Sequence, residues 1–313
     1  MIRRLARLIT RAESGAESLA DLLAEVGLPA REFYTVGVTG PPGSGKSTLV
    51  DKLIGHARRA GLNVGVVGVD PSSPFSGGAL LGDRVRMLAH SGDRGVFIRS
   101  MAARRLLGGL APTTRDVVRL IAAFGFDIMF VETVGVGQSE LEIATSADTI
   151  LVLTGPGFGD AVQALKAGLL EIADIFVVNM ADRPGAERTV LELRAMQSLA
   201  PTESSWAVPI IQTVATEGRG LVEVWEAFLG HRQHLQDTGE LHKRRRARVE
   251  HEVLDLAERQ LRAEIEARLR GRQLGAAVRR VLAGEITPGQ AAEVLVRELV
   301  KRRRTGETER RRD

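Results

Sequence analysis

Apolar residues in the stretch from 33 to about 230 come in short runs at 36–39, 63–70, 95–98, 127–132, 149–154, 175–179 and 208–212, each broken by polar or glycine-bearing segments. Between them lie stretches whose apolar positions recur at helical spacing. After the first run, residues 48–59 place Leu49, Leu53, Ile54 and Ala57 on one helix face. Near-continuous apolar strands alternating with helices predict an α/β fold, a mostly parallel, doubly wound sheet covered on both faces. Ligands on such sheets bind at the carboxyl ends of the strands.

The texture changes after Gly239. Residues 240–270 contain neither glycine nor proline, and Val249, Val253, Ala257, Leu261, Ile265 and Leu269 recur every four residues. The pattern predicts a helix of about 46 Å whose apolar stripe needs a partner, either a second copy or the rest of the chain. Thr287 and Pro288 supply an N-cap and first-turn proline for a last helix carrying Ala291, Val294, Leu295 and Leu299. The chain therefore divides into an N-terminal helical extension (1–30), an α/β domain (31–235), a C-terminal helical dimerisation arm (236–303) and a basic, disordered tail (304–313).

At the N-terminus, residues 1–10 are apolar and arginine-bearing, as organelle-targeting peptides are. Glu13, Glu17, Asp21 and Glu25 argue instead for an amphipathic helix packed on the main domain.

Composition narrows the setting. With no cysteine, disulfides and thiolate metal sites are excluded, and of the six histidines only His231 and His234 are close, both reading as surface residues. Asp127, Glu132 and Asp148 break the longest apolar stretches well short of a membrane span. A cytoplasmic protein with no membrane contact is expected. The formal charge is +4, carried by 38 arginines against five lysines, and the late clusters at 244–248 and 302–312 lack interleaved aromatics. They read as a solvated helix face and a frayed tail, with no nucleic acid as partner.

The chemistry begins at the first strand. Residues 40–47 match G-x-x-x-x-G-K-[ST] in full, between a predicted strand and a predicted helix. Gly40, Gly43 and Gly45 let backbone N–H groups, with those of Ser44 and Thr48, turn toward a phosphate. Lys46 reaches the β- and γ-phosphates, Ser47 ligates Mg²⁺, and the helix turns its positive end toward the anion. Asp70 ends the second strand, where a carboxylate can hold a Mg²⁺-bound water. Asp83 follows a Gly- and Ser-rich stretch that reads as mobile; it is either a switch carboxylate on the metal or a helix N-terminal acid facing water. Glu132 is placed for Mg²⁺ or its water shell, with the Gly135 N–H toward the γ-phosphate. Gln138 either orients the attacking water or is an exposed loop glutamine.

Asn179, Met180, Ala181 and Asp182 resemble the N-K-x-D signature by which GTPases read guanine. Asp182 would accept from the guanine N1–H and exocyclic amine, a donor pair that adenine lacks. Asn179 would tie neighbouring loops together. Met180 replaces the signature lysine, keeping the apolar stem along the base without the ammonium. Val214, Ala215 and Thr216 follow the last strand and offer backbone N–H groups to the guanine O6.

These residues resemble one family, the methylmalonyl-CoA mutase-associated GTPases of MeaB type, also known as ArgK-type transport ATPases, in the SIMIBI class of P-loop GTPases. The phosphate loop, Val-Asp-Pro-Ser-Ser-Pro, Gly-Asp-Arg-Val-Arg-Met, Phe-Ile-Arg-Ser-Met-Ala, Glu-Thr-Val-Gly-Val-Gly-Gln-Ser-Glu, Gln-Ala-Leu-Lys-Ala-Gly-Leu-Leu-Glu-Ile-Ala-Asp and Ala-Asp-Arg-Pro-Gly-Ala carry the resemblance. It implies a homodimeric GTPase, cycling between GTP and GDP with Mg²⁺. Its client would be an adenosylcobalamin-dependent acyl-CoA mutase, and it would gate transfer of the cofactor from a cobalamin adenosyltransferase. It further implies metal and switch roles for Asp70, Asp83 and Glu132, and places Lys166 in a third switch, residues 155–172, that contacts the mutase. The alternatives are an ATP-using kinase acting on a periplasmic amino-acid binding protein, and a nickel or zinc metallochaperone GTPase, which the absence of cysteine disfavours.

Overall fold

The computed structural model describes residues 1–14, 17–27, 32–71, 88–90, 92–103, 112–133, 143–158, 169–199, 205–269 and 272–297. Its strands are β1 (Tyr34–Thr39), β2 (Val64–Pro71), β3 (Val96–Ala103), β4 (Ile128–Thr133), β5 (Thr149–Thr154), β6 (Ile175–Val178) and β7 (Ile210–Gln212). They form one sheet in the order β3-β2-β4-β1-β5-β6-β7, every pairing parallel. The expected doubly wound architecture is present. The β3 run is longer than its apolar core and the β7 run shorter, because ladder pairing with the neighbour, not apolarity, sets where an edge strand ends.

The helices are α1 (Ile2–Ser14), α2 (Leu19–Val26), α3 (Lys46–Arg59), α4 (Pro112–Ala123), the single turn α5 (Leu169–Ile172), α6 (Ala186–Leu199), α7 (Leu221–Asp237), α8 (Glu240–Leu269) and α9 (Arg272–Leu282). Residues 288–297 are also helical. The single N-terminal amphipathic helix expected from the sequence is two helices. Ser18 breaks the run by capping α2, its hydroxyl accepting from the Asp21 N–H while the Asp21 carboxylate accepts from the Ser18 N–H.

Alternation of side chains along each strand sorts the core into two layers. Val67, Val69, Met129, Val131, Val152, Phe176 and Val178 face one side, covered by Leu5, Leu8 and Ile9 of α1, Val117, Leu120 and Ile121 of α4, and Val190 and Leu193 of α6. Val36, Val38, Val66, Phe130, Leu151, Leu153 and Val177 face the other, covered by Leu49, Leu53 and Ile54 of α3 and by Leu221, Val224 and Phe228 of α7. With both faces covered, the strands carry no polar alternation. The periodicity of the sequence has this cause.

The chain separates into two compact units, residues 1–245 and 246–313. In the second, α9 presents Leu274, Val278 and Leu282 at helical spacing, all exposed.

At the starts of β1, β5 and β6, two readings from the sequence are corrected. His231 is completely buried, not on the surface. Its Nδ1 lies 2.8 Å from Thr149 Oγ1, which in turn pairs with the Tyr34 hydroxyl at 2.8 Å, and its Nε2 lies 3.2 Å from Asp174 Oδ1. Helical periodicity explains the burial, since Val224, Phe228, His231 and Leu235 occupy the same stripe of α7. His234 is half-buried, its ring beside Trp206. Nor is 244–248 uniformly a solvated face. Arg244 Nη1 donates to Asp174 Oδ1 at 3.0 Å, and Arg245 Nη2 donates to Asp148 Oδ2 at 3.0 Å and to the Phe33 carbonyl at 2.6 Å. Both carboxylates are buried, and their remaining lone pairs accept from the Thr35 and Ile150 N–H groups, so neither charge is left without compensation. Although burial opposes the charge, the bond to Asp148 raises the Arg245 guanidinium above its ordinary value. Burial likewise pushes the Tyr34 phenol up.

Candidate functional site

At the opposite end of the sheet, β1 runs straight into residues 40–47, and α3 opens at Lys46. Chain order passes from β4 on one side of β1 to β5 on the other, which opens a crevice at the carboxyl end of β1. Gly40, with φ 137°, lies against β5 so closely that a Cβ would stand 2.1 Å from the Leu153 carbonyl oxygen. Gly45, with φ 92°, caps α3, and a Cβ there would stand 2.3 Å from Asn179 Nδ2. Both positions combine left-handed backbone with contact that excludes any side chain. The loop is thereby curled tightly at the start of a helix, the arrangement that turns N–H groups and a helix dipole toward an anion.

Lys46 is buried, its ammonium donating to the carbonyls of Gly40 at 2.9 Å and Pro41 at 3.0 Å. Ser47 is buried one residue on, and its hydroxyl donates to Glu132 Oε1 at 2.7 Å. Behind them the Thr133 hydroxyl donates to Thr39 Oγ1 at 3.1 Å, linking the last residues of β4 and β1. No local pattern announces that pair, because only the register of β1 on β4 brings the two threonines together. The Ser44 hydroxyl is fully buried, with no hydrogen-bond partner among the described residues.

Ser47 and Glu132 converge as a hydroxyl and a carboxylate on one point of the loop, a hard-oxygen pair suited to Mg²⁺. Asp70 lies in β2 opposite Ala102 of β3, one residue before the strand ends at Pro71 and not at its last position. Asp83, Gly135, Gln138 and Lys166 lie outside the described residues. Among the described residues, no three His, Cys, Asp or Glu cluster as a metal site of their own.

Residues 179–182 follow β6. Asn179 is buried, and its carboxamide makes three bonds: Nδ2 donates to the Ser44 carbonyl at 2.8 Å, and Oδ1 accepts from Thr213 Oγ1 at 3.0 Å and from the Ala215 N–H at 3.1 Å. One side chain thus fastens the phosphate loop to the loops after β6 and β7. Met180 has φ 58°, the sole positive value at a non-glycine among the described residues. Its conformation is enforced by the Ala181 N–H donating to the Thr213 carbonyl and the Arg183 N–H donating to the Met180 carbonyl, each at 3.0 Å. Asp182 is exposed. Val214 and Ala215 do not offer N–H groups outward: the first donates to the Arg219 carbonyl and the second to Asn179. Their part is to shape the loop, and the next N–H in line is that of Thr216.

Among the described residues no helix is long and apolar enough to cross a membrane. Residues 5–269 match the family model described as methylmalonyl Co-A mutase-associated GTPase MeaB. A Pyrococcus abyssi protein named as a GTPase is 46% identical over 301 residues, covering 95% of this chain and 93% of that protein. The mitochondrial methylmalonic aciduria type A homolog of Mus musculus is 33% identical over 269 residues, covering 84% of this chain and 65% of that protein. Among solved structures, one described as a LAO/AO transport system kinase superposes with a TM-score of 0.69 at 24% identity, covering 95% of this chain and 96% of that one. At that identity it speaks for the fold alone.

Proposed function

The chain belongs to the MeaB family of methylmalonyl Co-A mutase-associated GTPases, and from that premise we propose that it is a GTP-hydrolysing chaperone of an adenosylcobalamin-dependent acyl-CoA mutase. It gates cofactor loading from a cobalamin adenosyltransferase and protects the loaded enzyme, with hydrolysis as the timer. The observation that carries this reading is the Asn179 bond to the Ser44 carbonyl, which joins the phosphate loop to the guanine-reading segment in one rigid site.

The triphosphate occupies residues 40–48. Backbone N–H groups of Gly43, Ser44, Gly45 and Thr48 and the ammonium of Lys46 neutralise its charge, and Asp182 selects guanine by accepting from its two adjacent donors. Ser47 and Glu132, with Asp70 and Asp83, would hold Mg²⁺, which would supply a compact positive charge to offset that of the triphosphate. Gln138 orients a water toward the γ-phosphorus and Gly135 meets the γ-phosphate. As the new P–O bond forms, the bond to the β,γ-bridging oxygen breaks, and the water's proton passes to the departing phosphate. No strong base is needed for this loose transfer. Lys166 adds its positive charge to the transition state when the mutase docks, so hydrolysis is slow alone and faster in complex.

The arm, residues 236–303, joins two copies; Val253, Leu254 and Leu261 of α8 are exposed apolar side chains available for that contact. A cytoplasmic setting fits the cysteine-free composition.

The test is complex formation. Loaded with a non-hydrolysable GTP analogue, the protein co-elutes with a cobalamin-dependent acyl-CoA mutase, and Lys166→Ala leaves nucleotide affinity intact while blunting the mutase's effect on hydrolysis. No complex in any nucleotide state contradicts the chaperone reading.

A further inference from the structure

Three strands that end in the nucleotide loops begin in the ion-pair cluster that holds the start of α8. Asp174 stands one residue before β6 and Asn179 one residue after it. The Asp174 carboxylate accepts from Arg244, and the Asn179 carboxamide grips the Ser44 carbonyl of the phosphate loop. β5 repeats the arrangement. Asp148, just before it, accepts from Arg245, and Leu153 near its end is the residue against which Gly40 is pressed. Arg245 also bonds the Phe33 carbonyl, one residue before β1, whose other end becomes the phosphate loop.

These strands are short, fully buried and hydrogen-bonded to one another, so an axial or twisting displacement at one end is transmitted to the other instead of being absorbed. The first turns of α8 are helical with few apolar anchors, Leu241 being the buried one. Their two arginines are the principal ties on view. Such a segment has a local opening equilibrium of its own, and anything that fixes the strand ends biases it.

We propose that the first turns of α8, residues 240–245, sense nucleotide occupancy, with Arg244 and Arg245 as positioning residues read through β1, β5 and β6. A nucleotide that immobilises Gly40, Ser44 and Asn179 stiffens the strands and suppresses opening of this helix start. By reciprocity, loosening the helix start weakens nucleotide binding by the same factor. The proposal rests on the reading of residues 40–48 as the guanine-nucleotide site and adds a second place where occupancy is felt.

Hydrogen–deuterium exchange on the full chain, alone and saturated with GDP and Mg²⁺, tests it. Exchange is expected to slow by at least about threefold both in peptides spanning 40–50 and in peptides spanning 240–245. In parallel, the Arg244→Ala, Arg245→Ala double variant binds GDP about fivefold more weakly, the lower end of ordinary couplings, with an unchanged hydrolysis rate at saturating GTP. Arg246→Ala, whose side chain is 83% exposed, changes neither. Should the double variant not fold, Arg244→Lys, which keeps the charge and loses the fork, is measured instead, with an intermediate loss of affinity expected. Protection at 40–50 with none at 240–245 overturns the inference and leaves the site reading standing. So does undiminished GDP affinity in a folded variant. Protection at neither place removes the site reading and the inference with it.

Discussion

Asn179 and Ser44 are 135 residues apart in sequence and joined by one buried hydrogen bond of 2.8 Å, from the Asn179 carboxamide nitrogen to the Ser44 carbonyl. The same carboxamide oxygen holds Thr213 and Ala215. The phosphate loop and the loops after β6 and β7 therefore share one keystone. Asn179→Ala leaves buried donors and an acceptor without partners, about 1–3 kcal/mol each if no water replaces them. We expect GDP affinity to fall at least about tenfold by titration calorimetry, with a lower urea midpoint. Unchanged affinity would show that the loops hold one another without it.

Gly45→Ala tests the loop's geometry. A Cβ there stands 2.3 Å from Asn179 Nδ2 on a backbone with φ 92°. The expected result is a folded protein, by circular dichroism, that has lost nucleotide binding. Retained binding would mean that the loop opens to admit a methyl group, against the close contact seen.

Met180→Lys restores the lysine of the guanine-reading signature at a backbone position already held at φ 58°. Because both side chains meet the same left-handed cost, the change isolates what the ammonium adds. GDP affinity should rise by about three- to tenfold, a charge-assisted contact of roughly 1 kcal/mol, with less effect on ADP. A fall in affinity would show that the thioether is itself the preferred wall for the base.

Much of this site was legible because its motifs are local. Residues 40–47 and 179–182 are motifs of consecutive positions, and the strands that present them are apolar runs with nothing else to be. What escaped the sequence depends on register and strand order. Thr39 and Thr133 meet only because β1 lies beside β4, and Tyr34, Thr149 and His231 meet only because β5 lies beside β1 with α7 packed across them. His231 was nonetheless detectable. It completes an apolar stripe with Val224, Phe228 and Leu235, which outweighs the expectation that a polar residue faces water. For Arg244 and Arg245 no local signal distinguishes them from Arg246, which is exposed.

Acid is expected to act on the fold through His56 of α3. Burial, reinforced by Arg59, holds its imidazole below the ordinary value, and its ring lies 6.2 Å from that of Trp225. The unfolded chain therefore binds this proton more readily than the folded one. The associated stability is present above the unfolded value of about 6.5 and is lost as pH falls from there through the folded value. Urea unfolding at pH 7.5 and 5.5, followed by tryptophan fluorescence, should show a larger acid loss for the native protein than for His56→Gln. Equal losses would assign the acid sensitivity elsewhere.

A cobalamin-dependent mutase is expected to set the rate at which this GTPase turns over. Steady-state phosphate release from GTP, measured with Mg²⁺ as the mutase is titrated in and beside an identical series with ATP, addresses it directly. GTP turnover is expected to be slow and to rise at least about tenfold on saturation with the mutase, as a charge brought to the transition state provides, with ATP hydrolysed poorly throughout. A GTP rate indifferent to the mutase, or a preference for ATP, would contradict it.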